Sequence, residues 1–287
     1  MAIVMKGMDV VNARKEEMIR RVELLKNQGI RPCLGILRVG EKQEDISYER
    51  GALKRLLSVG IEGVVETMPW HVTQKELEDK LMCMNKEEGI HGILLFQPLP
   101  DHLSVETLKQ QIDPKKDVDA MSTVNMGKIF IGDSSGFAPC TPESVLWMLD
   151  YYGIDLEGKN VTIVGRSSVV GKPLSILLLG RNATVTICHT KTVGLKAQCK
   201  DADILIVAAG KACMITRDMV NSKAVVVDVG IHVDNKGKLC GDVDYEKVSK
   251  VAAYCSPVPG GVGSITSSVL ASHVLIAAEK QAKSKVL

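Results

Sequence analysis

The sequence predicts an α/β protein made of two blocks of parallel β-sheet covered by helices, and three observations predict it. Short β-branched runs alternate with longer segments of helical apolar spacing, the pattern of right-handed βαβ units. The alternation breaks between Ile112 and Pro142, a turn-rich stretch too long for a simple connection, which marks a functional loop or a domain boundary. The 287 residues also suffice for about two domains at roughly 100–200 residues each.

Composition narrows the class. Hydrophobic residues are 45% and charged residues 24% of the chain, as in ordinary globular proteins. The net charge is +2 with acidic and basic residues interspersed, so no basic stripe points to nucleic acid, and 3% aromatics provide no stacking platform. The N-terminal MAIVMKGMDVV is interrupted by Lys6 and Asp9 before it reaches the length of a signal-peptide core. No run approaches the ~18 apolar residues of a membrane span. No membrane partner and a cytoplasmic location are expected. The eight cysteines stand singly, without a CxxC pair, and read as reduced thiols, several of them small core residues. Cys188-His189 is the one adjacent pair of potential ligands; with no second pair, no metal is expected.

The elements follow in order. Val10 to Asn27 has helical apolar spacing among charges, and Pro32 to Leu37 reads as a buried strand. Asp45 to Ser58 reads as a helix and Gly63 to Thr67 as a strand. A helix over Thr73 to Lys86 opens on a Thr73/Glu76 capping box. A strand at Gly92 to Phe96 and a short helix at Ser104 to Gln111 complete the first block. Pro142 suits the first position of a helix through Tyr152, with Thr141 as its N-cap. The second block has strands at Val161 to Val164, Ala183 to Cys188, Ile204 to Ala208, Ala224 to Val229 and Val251 to Cys255, with helices from Gly171 and through Lys196. It ends in SPVPGGVGSIT and a helix to about Lys283.

The stretch VTIVGRSSVVGKP, Val161 to Pro173, is strand, tight turn and helix. The helix start aims unpaired N–H groups at the turn, where an anion is favoured. Gly165 and Gly171 stand where a dinucleotide fingerprint has glycines, while Ser167 replaces the middle one. An ordinary βα turn is the other reading. The next strand ends Cys188-His189-Thr190-Lys191, without the carboxylate that binds a ribose 2′-OH in NAD sites. Arg166, Ser167, Thr190 and Lys191 instead offer donors to a 2′-phosphate, which favours NADP over NAD. Two solvated loop cations, Arg166 and Lys191, are the alternative.

Taken together, several motifs resemble the methylenetetrahydrofolate dehydrogenase/cyclohydrolase family. They are Val39-Gly40 with Tyr48, Gly92-Ile93-Leu94 leading to Pro98-Leu99-Pro100, Lys116 to Asp119, and Pro139-Cys140-Thr141-Pro142. Gly165-Arg166-Ser167 with Val170-Gly171, Ala183 to Thr186, Asp228 to Ile231, Gly241 to Asp244 and Pro257 to Gly263 continue the likeness nearly end to end. The resemblance implies an N-terminal α/β catalytic domain that binds folate, residues 1–141 with 265–287, and a Rossmann-like parallel-sheet NADP domain, residues 142–264. It implies long connecting helices, a cleft between the domains, and a homodimer. The implied reaction oxidises 5,10-methylenetetrahydrofolate to the methenyl cation, which many members then hydrolyse to 10-formyltetrahydrofolate. By motif position Gly165, Arg166, Ser167, Thr190 and Ile231 contact the cofactor, together with Lys191 from the strand reading. Tyr48, Gln97, Asp119 and the loop Pro259, Gly260, Gly261, Val262 and Gly263 contact folate, with Tyr48 and Asp119 as the catalytic candidates. A helix-start aromatic and an Asx turn are their structural alternatives.

The chain departs from the family pattern where chemistry matters. The family lysine, four residues after the tyrosine, is Ala52 here; Lys54 points to nearly the opposite side of a helix. The family glutamine falls on Phe96, with Gln97 displaced by one, so an extended backbone turns it to the other face. Smaller departures are Asp45 for serine, Ala120 and Ser144 for glycine, and His273 for asparagine. Hydride transfer driven by a nitrogen lone pair needs orientation above all. Hydrolysis of the methenyl cation needs an acid/base group worth about 10²–10⁴ in rate, which alanine cannot supply. The expectation is a dehydrogenase with weak or absent cyclohydrolase activity. A fully bifunctional enzyme and a non-catalytic folate or dinucleotide-binding relative are the alternatives.

Overall fold

The alternating pattern folds as two units, which a computed structural model describes over residues 1–234 and 237–284. In chain order the strands are β1 (Ile3–Val4), β2 (Cys33–Val39), β3 (Glu62–Met68), β4 (Gly92–Leu95), β5 (Asn160–Val164), β6 (Thr184–Cys188), β7 (Ile204–Val207), β8 (Val225–Asp228), β9 (His232–Val233), β10 (Leu239–Cys240) and β11 (Tyr254–Cys255). The α-helices are α1 (Gly7–Asn27), α2 (Gln43–Leu57), α3 (Gln74–Lys86), α4 (Val105–Gln111), α5 (Thr123–Ile131), α6 (Cys140–Tyr151), α7 (Gly171–Leu179), α8 (Leu195–Lys200), α9 (Tyr245–Val248) and α10 (Thr266–Ser284). Among the described residues no helix is long and apolar enough to cross a membrane.

One unit comprises Arg14–Cys140 and the chain from Ser267 onward. Its sheet has the order β3-β2-β4, parallel throughout. The central strand β2 is buried along its whole length, so its sequence CLGILRV is a continuous apolar run broken only by Arg38. Leu37, Val39, Ile93 and Leu95 pack with Leu77 and Leu81 of α3 in one core. Burial of each such leucine contributes about 1.5–3 kcal/mol. The capping box of α3 is as the sequence predicts: Glu76 N–H donates to Thr73 Oγ1, and Thr73 N–H to Glu76 Oε2 at 2.8 Å. Helix α10 is tied to α1 by a two-pronged Arg21–Glu279 pair, both bonds 2.9 Å.

The other unit comprises Met1–Ala13 and Thr141–Thr266. Its parallel sheet has the order β1-β11-β8-β7-β5-β6, with a small antiparallel hairpin β9–β10. From β5 the chain turns to β6 on one side and then crosses to β7 on the other. The carboxyl ends of β5 and β7 therefore flank a topological switch point, where open α/β sheets bind ligands.

Three expectations are corrected here. Residues 1–13 group with the six-stranded sheet, so the expected boundary 1–141 loses its beginning: β1 pairs with β11, and Gly7 N–H donates to Gly260 O at 2.8 Å. Helix α6 starts at Cys140, placing Thr141 and Pro142 inside it, because the Asp119 carboxylate accepts the Cys140 N–H at 2.8 Å and takes over the capping role. The stretch expected to be irregular contains α5, which Ser122 caps by accepting from Asn125 N–H and which Gly132 ends at φ 74°. In addition, β11 is limited to Tyr254–Cys255, shorter than expected.

Candidate active site

In the six-stranded unit the β-branched run of β5 ends at Gly165, whose φ of 132° belongs to glycine. A Cβ there would overlap the Ala208 carbonyl oxygen, and one at Gly171 would overlap the Gly165 carbonyl. The turn thus lies backbone against backbone, which is the cradle a phosphate-bearing ligand needs. Ser167 Oγ accepts the Val170 N–H at 3.1 Å and fixes the turn's shape, while Arg166 and Ser167 are exposed.

The β5–β6 register pairs Val164 with Cys188, and Gly165 N–H donates to Cys188 O at 2.9 Å. Arg166 and Thr190 therefore leave neighbouring strand ends about 4.8 Å apart. Thr192 Oγ1 accepts the His189 N–H at 2.8 Å, and His189 Nδ1 accepts the Lys191 N–H at 3.1 Å. This tight turn presents Thr190 and Lys191 to solvent. The structure brings Gly165, Arg166, Ser167, Thr190 and Lys191 to one strand-end edge, and donors without a carboxylate suit a phosphorylated ribose.

Ile231 and the Pro259, Gly260, Gly261, Val262 and Gly263 loop line one cavity of about 220 Å³, with Asp228, Leu239 and Pro257. The residue expected on the cofactor thus meets the loop expected on folate within this unit. Two buried carboxylates that sequence reasoning assigned no role hold the cavity's walls. Asp228 accepts N–H bonds from Gly230 (3.0 Å), Asp242 (3.0 Å) and Val243 (2.9 Å). Burial nevertheless pushes its carboxyl up to about 6, outweighing those donors, with Asp242 adding to the rise. Asp242 accepts from Ala209 (2.6 Å), Gly210 (3.1 Å) and Lys211 (2.8 Å) and lies 2.6 Å from His232 Nε2. A Cβ at Gly230 would overlap the Asp242 carboxylate, and one at Gly241 the Asp228 carboxylate. The motifs Asp228 to Ile231 and Gly241 to Asp244 gave the only sequence signal for this pairing.

In the three-stranded unit Tyr48, Gln97 and Asp119 gather at the carboxyl end of the sheet. Tyr48 lies on α2 after β2, and its ring packs edge-on against Phe96 with centroids 5.6 Å apart. Phe96 is buried and Gln97, beyond the end of β4, is exposed. A parallel bridge pairs Ile93 with Asp117, which sets Asp119 level with the end of β4. Asp119 is half-buried, and burial raises its carboxyl above the usual range. Cys140 N–H and thiol bonds and the charge of His273 act the other way, and Asp117 adds to the rise.

Ala52 is 1% exposed, one turn after Tyr48 on the inward face of α2, while Lys54 faces solvent. Beside them lies an ion pair the sequence reading missed: Arg38 Nε donates to Glu49 Oε2 at 2.8 Å, with side chains 8% and 12% exposed. Arg38 also donates to Gly40 O and, at 3.2 Å, to Thr67 Oγ1. The charged residue inside the apolar run of β2 was the available signal.

Comparison with known proteins gives concordant matches. Residues 5–119 match the catalytic domain, and residues 139–282 the NAD(P)-binding domain, of tetrahydrofolate dehydrogenase/cyclohydrolase. The bifunctional protein FolD of Clostridioides difficile (strain 630) is 49% identical over 278 residues, 97% of each chain. Among solved structures, the bifunctional FolD dehydrogenase/cyclohydrolase of Campylobacter jejuni is 38% identical with a TM-score of 0.95, covering 98% of this chain and 99% of its own. The Trypanosoma brucei dehydrogenase-cyclohydrolase, complexed with NADP cofactor and inhibitor, is 32% identical with a TM-score of 0.92, covering 97% and 98%. With both domain models matched and a relative of this identity spanning nearly the whole chain, the protein belongs to the tetrahydrofolate dehydrogenase/cyclohydrolase family.

Proposed function

We propose that this chain oxidises 5,10-methylenetetrahydrofolate to 5,10-methenyltetrahydrofolate with NADP as acceptor, and that it hydrolyses the methenyl product weakly or not at all. The observation that carries the second half is buried Ala52, on the same face of α2 as Tyr48 and one turn along. The dehydrogenase half is supported by family membership and by the glycine cradle at Gly165 and Gly171.

NADP, when bound, accepts the hydride. Gly165, Ser167 and the start of α7 would hold its pyrophosphate, Arg166, Thr190 and Lys191 its 2′-phosphate, and Ile231 its nicotinamide end. Tyr48 stacks on the flat folate ring, Asp119 offers carboxylate oxygens to the amino-pyrimidine edge, and Gln97 and the Pro259 to Gly263 loop line the substrate. Gly260 at φ 99° lets that loop's backbone approach a planar ligand. The oxidation requires no proton to leave, so positioning by these groups suffices. Hydrolysis requires water to lose a proton and a ring nitrogen to gain one. Ala52 offers no group for either transfer, and the arginine of the Arg38–Glu49 pair does not deprotonate in proteins. A homodimer is part of this reading, and light scattering at twice the chain mass checks it.

The test follows both reactions on one sample. Protein with 5,10-methylenetetrahydrofolate should raise reduced-nicotinamide absorbance with NADP, and more weakly with NAD. Methenyl absorbance should then decay at the buffer rate. No rise with either nucleotide refutes the dehydrogenase. Decay well above the buffer rate refutes the second half and favours the bifunctional reading.

A further inference from the structure

A buried imidazole lies behind Asp119, on a helix that the reaction described above does not use. His273 of α10 is 2% exposed, and its Nδ1 lies 2.7 Å from Val118 O. Because a carbonyl only accepts, Nδ1 carries the proton and donates it there. The same nitrogen is 3.9 Å from Cys140 Sγ, and the thiol also donates to Val118 O at 3.5 Å. Cys140 N–H meets Asp119 Oδ1 at 2.8 Å. Two helices, α6 and α10, thus converge on the Val118–Asp119 peptide and fix the direction in which the carboxylate points. The Phe137 ring, tilted at 5.2 Å from the imidazole, closes the pocket.

We propose that His273 is a positioning residue for Asp119: its Nδ1–H clamps the carbonyl that precedes the folate-contacting carboxylate and so holds the direction in which that carboxylate points. The proposal rests on the reading of Asp119 as a folate contact. The other ionisable groups around the pair act in known directions. Asp117 opposes ionisation of Asp119, yet its own oxygens are occupied by Met121 N–H, Ser122 N–H and Asn125 Nδ2, all at 2.9 Å. Cys140 favours ionisation through its N–H. Lys280 Nζ lies over the Phe137 ring, 4.9 Å from its centroid.

The experiment exploits an isostere. Asn places its amide nitrogen at the same distance along the side chain as Nδ1, so His273→Asn keeps a donor for Val118 O. His273→Leu loses it. KM for 5,10-methylenetetrahydrofolate and kcat are followed from pH 8.5 to 5.5 in the intact enzyme, with calorimetric Kd of tetrahydrofolate as a readout independent of turnover. For His273→Leu, KM and Kd should be roughly 3- to 10-fold weaker than wild type at every pH while kcat changes less, and His273→Asn should restore both to near the wild-type values. If His273→Leu leaves KM and Kd at the wild-type values, or if His273→Asn is as impaired as His273→Leu, the proposal falls. Asp119→Asn, which still accepts from Cys140 N–H, separates the two failures. If it leaves folate Kd unaltered, the Asp119 reading itself falls, and the proposal with it.

Discussion

Ala52 and Asp228 show what a single side chain decides. Position 52 faces inward, so Ala52→Lys would place an amine where desolvation lowers its pKa toward that of a working base. Glu49, three residues earlier, already pairs with Arg38 and is held away from capturing the new ammonium. Methenyl hydrolysis should rise by roughly 10²-fold, the lower end for acid/base catalysis, as decay of methenyl absorbance would record. Asp228 carries a different consequence. Its folded-state value of about 6 lies above the ordinary value of 3.8, so between these the native state holds a proton that the unfolded state has released. Stability is then fully present below the unfolded value and is lost as pH rises through the folded one, by about 3 kcal/mol. Asp228→Asn should be less stable overall, since its NH₂ faces one of three N–H donors, but should lack this component. Its deficit against wild type should be larger at pH 4 than at pH 7 in urea midpoints.

The elements that the sequence disclosed are those whose causes are local. The capping box of α3 lies within four residues, and the apolar run of β2 is contiguous, so both were legible. The start of α6 was not, because its cap, Asp119, lies 21 residues upstream. The walls of the Ile231 cavity were equally hidden: Asp242 reaches N–H groups 31 to 33 residues away, a relation no local window contains. The Arg38–Glu49 pair is another link of this kind, tying β2 to α2 over 11 residues. Both side chains are nearly buried, so removing one partner strands a charge at a cost of about 3–5 kcal/mol, while replacing both by apolar groups costs far less. Arg38→Met and Glu49→Leu should each lower the urea midpoint sharply. The double variant should recover most of the loss, and a double-mutant cycle with additive losses would refute the coupling.

At the scale of the whole chain, sequence order and structural membership differ most at the start. Met1 to Ala13 precede the three-stranded unit in sequence yet group with the six-stranded one, and two residues of strand were too few to announce it. The attachment is nonetheless specific. Ala2 N–H donates to Ser249 O at 2.7 Å, Ile3 to Ala253 O at 2.8 Å and Met5 to Cys255 O at 3.0 Å, and Met5 is fully buried. Three net hydrogen bonds at about 1 kcal/mol each and one buried methionine at about 1.5–3 kcal/mol make the segment worth roughly 5 kcal/mol before the entropy of ordering it is subtracted. Strand β11 leads directly into the Pro257 to Gly263 loop, and Gly7 N–H holds that loop at Gly260 O. Deleting Met1 to Met5 should therefore open an edge on β11 and loosen the loop. Amide exchange should accelerate at Tyr254 to Ser256 by at least tenfold, and KM for folate should rise with it. Amides of β2, in the middle of the three-stranded sheet, serve as the internal control. Equal acceleration in β2 and β11 would show that the segment supports both sheets alike, and would overturn its assignment to the six-stranded unit.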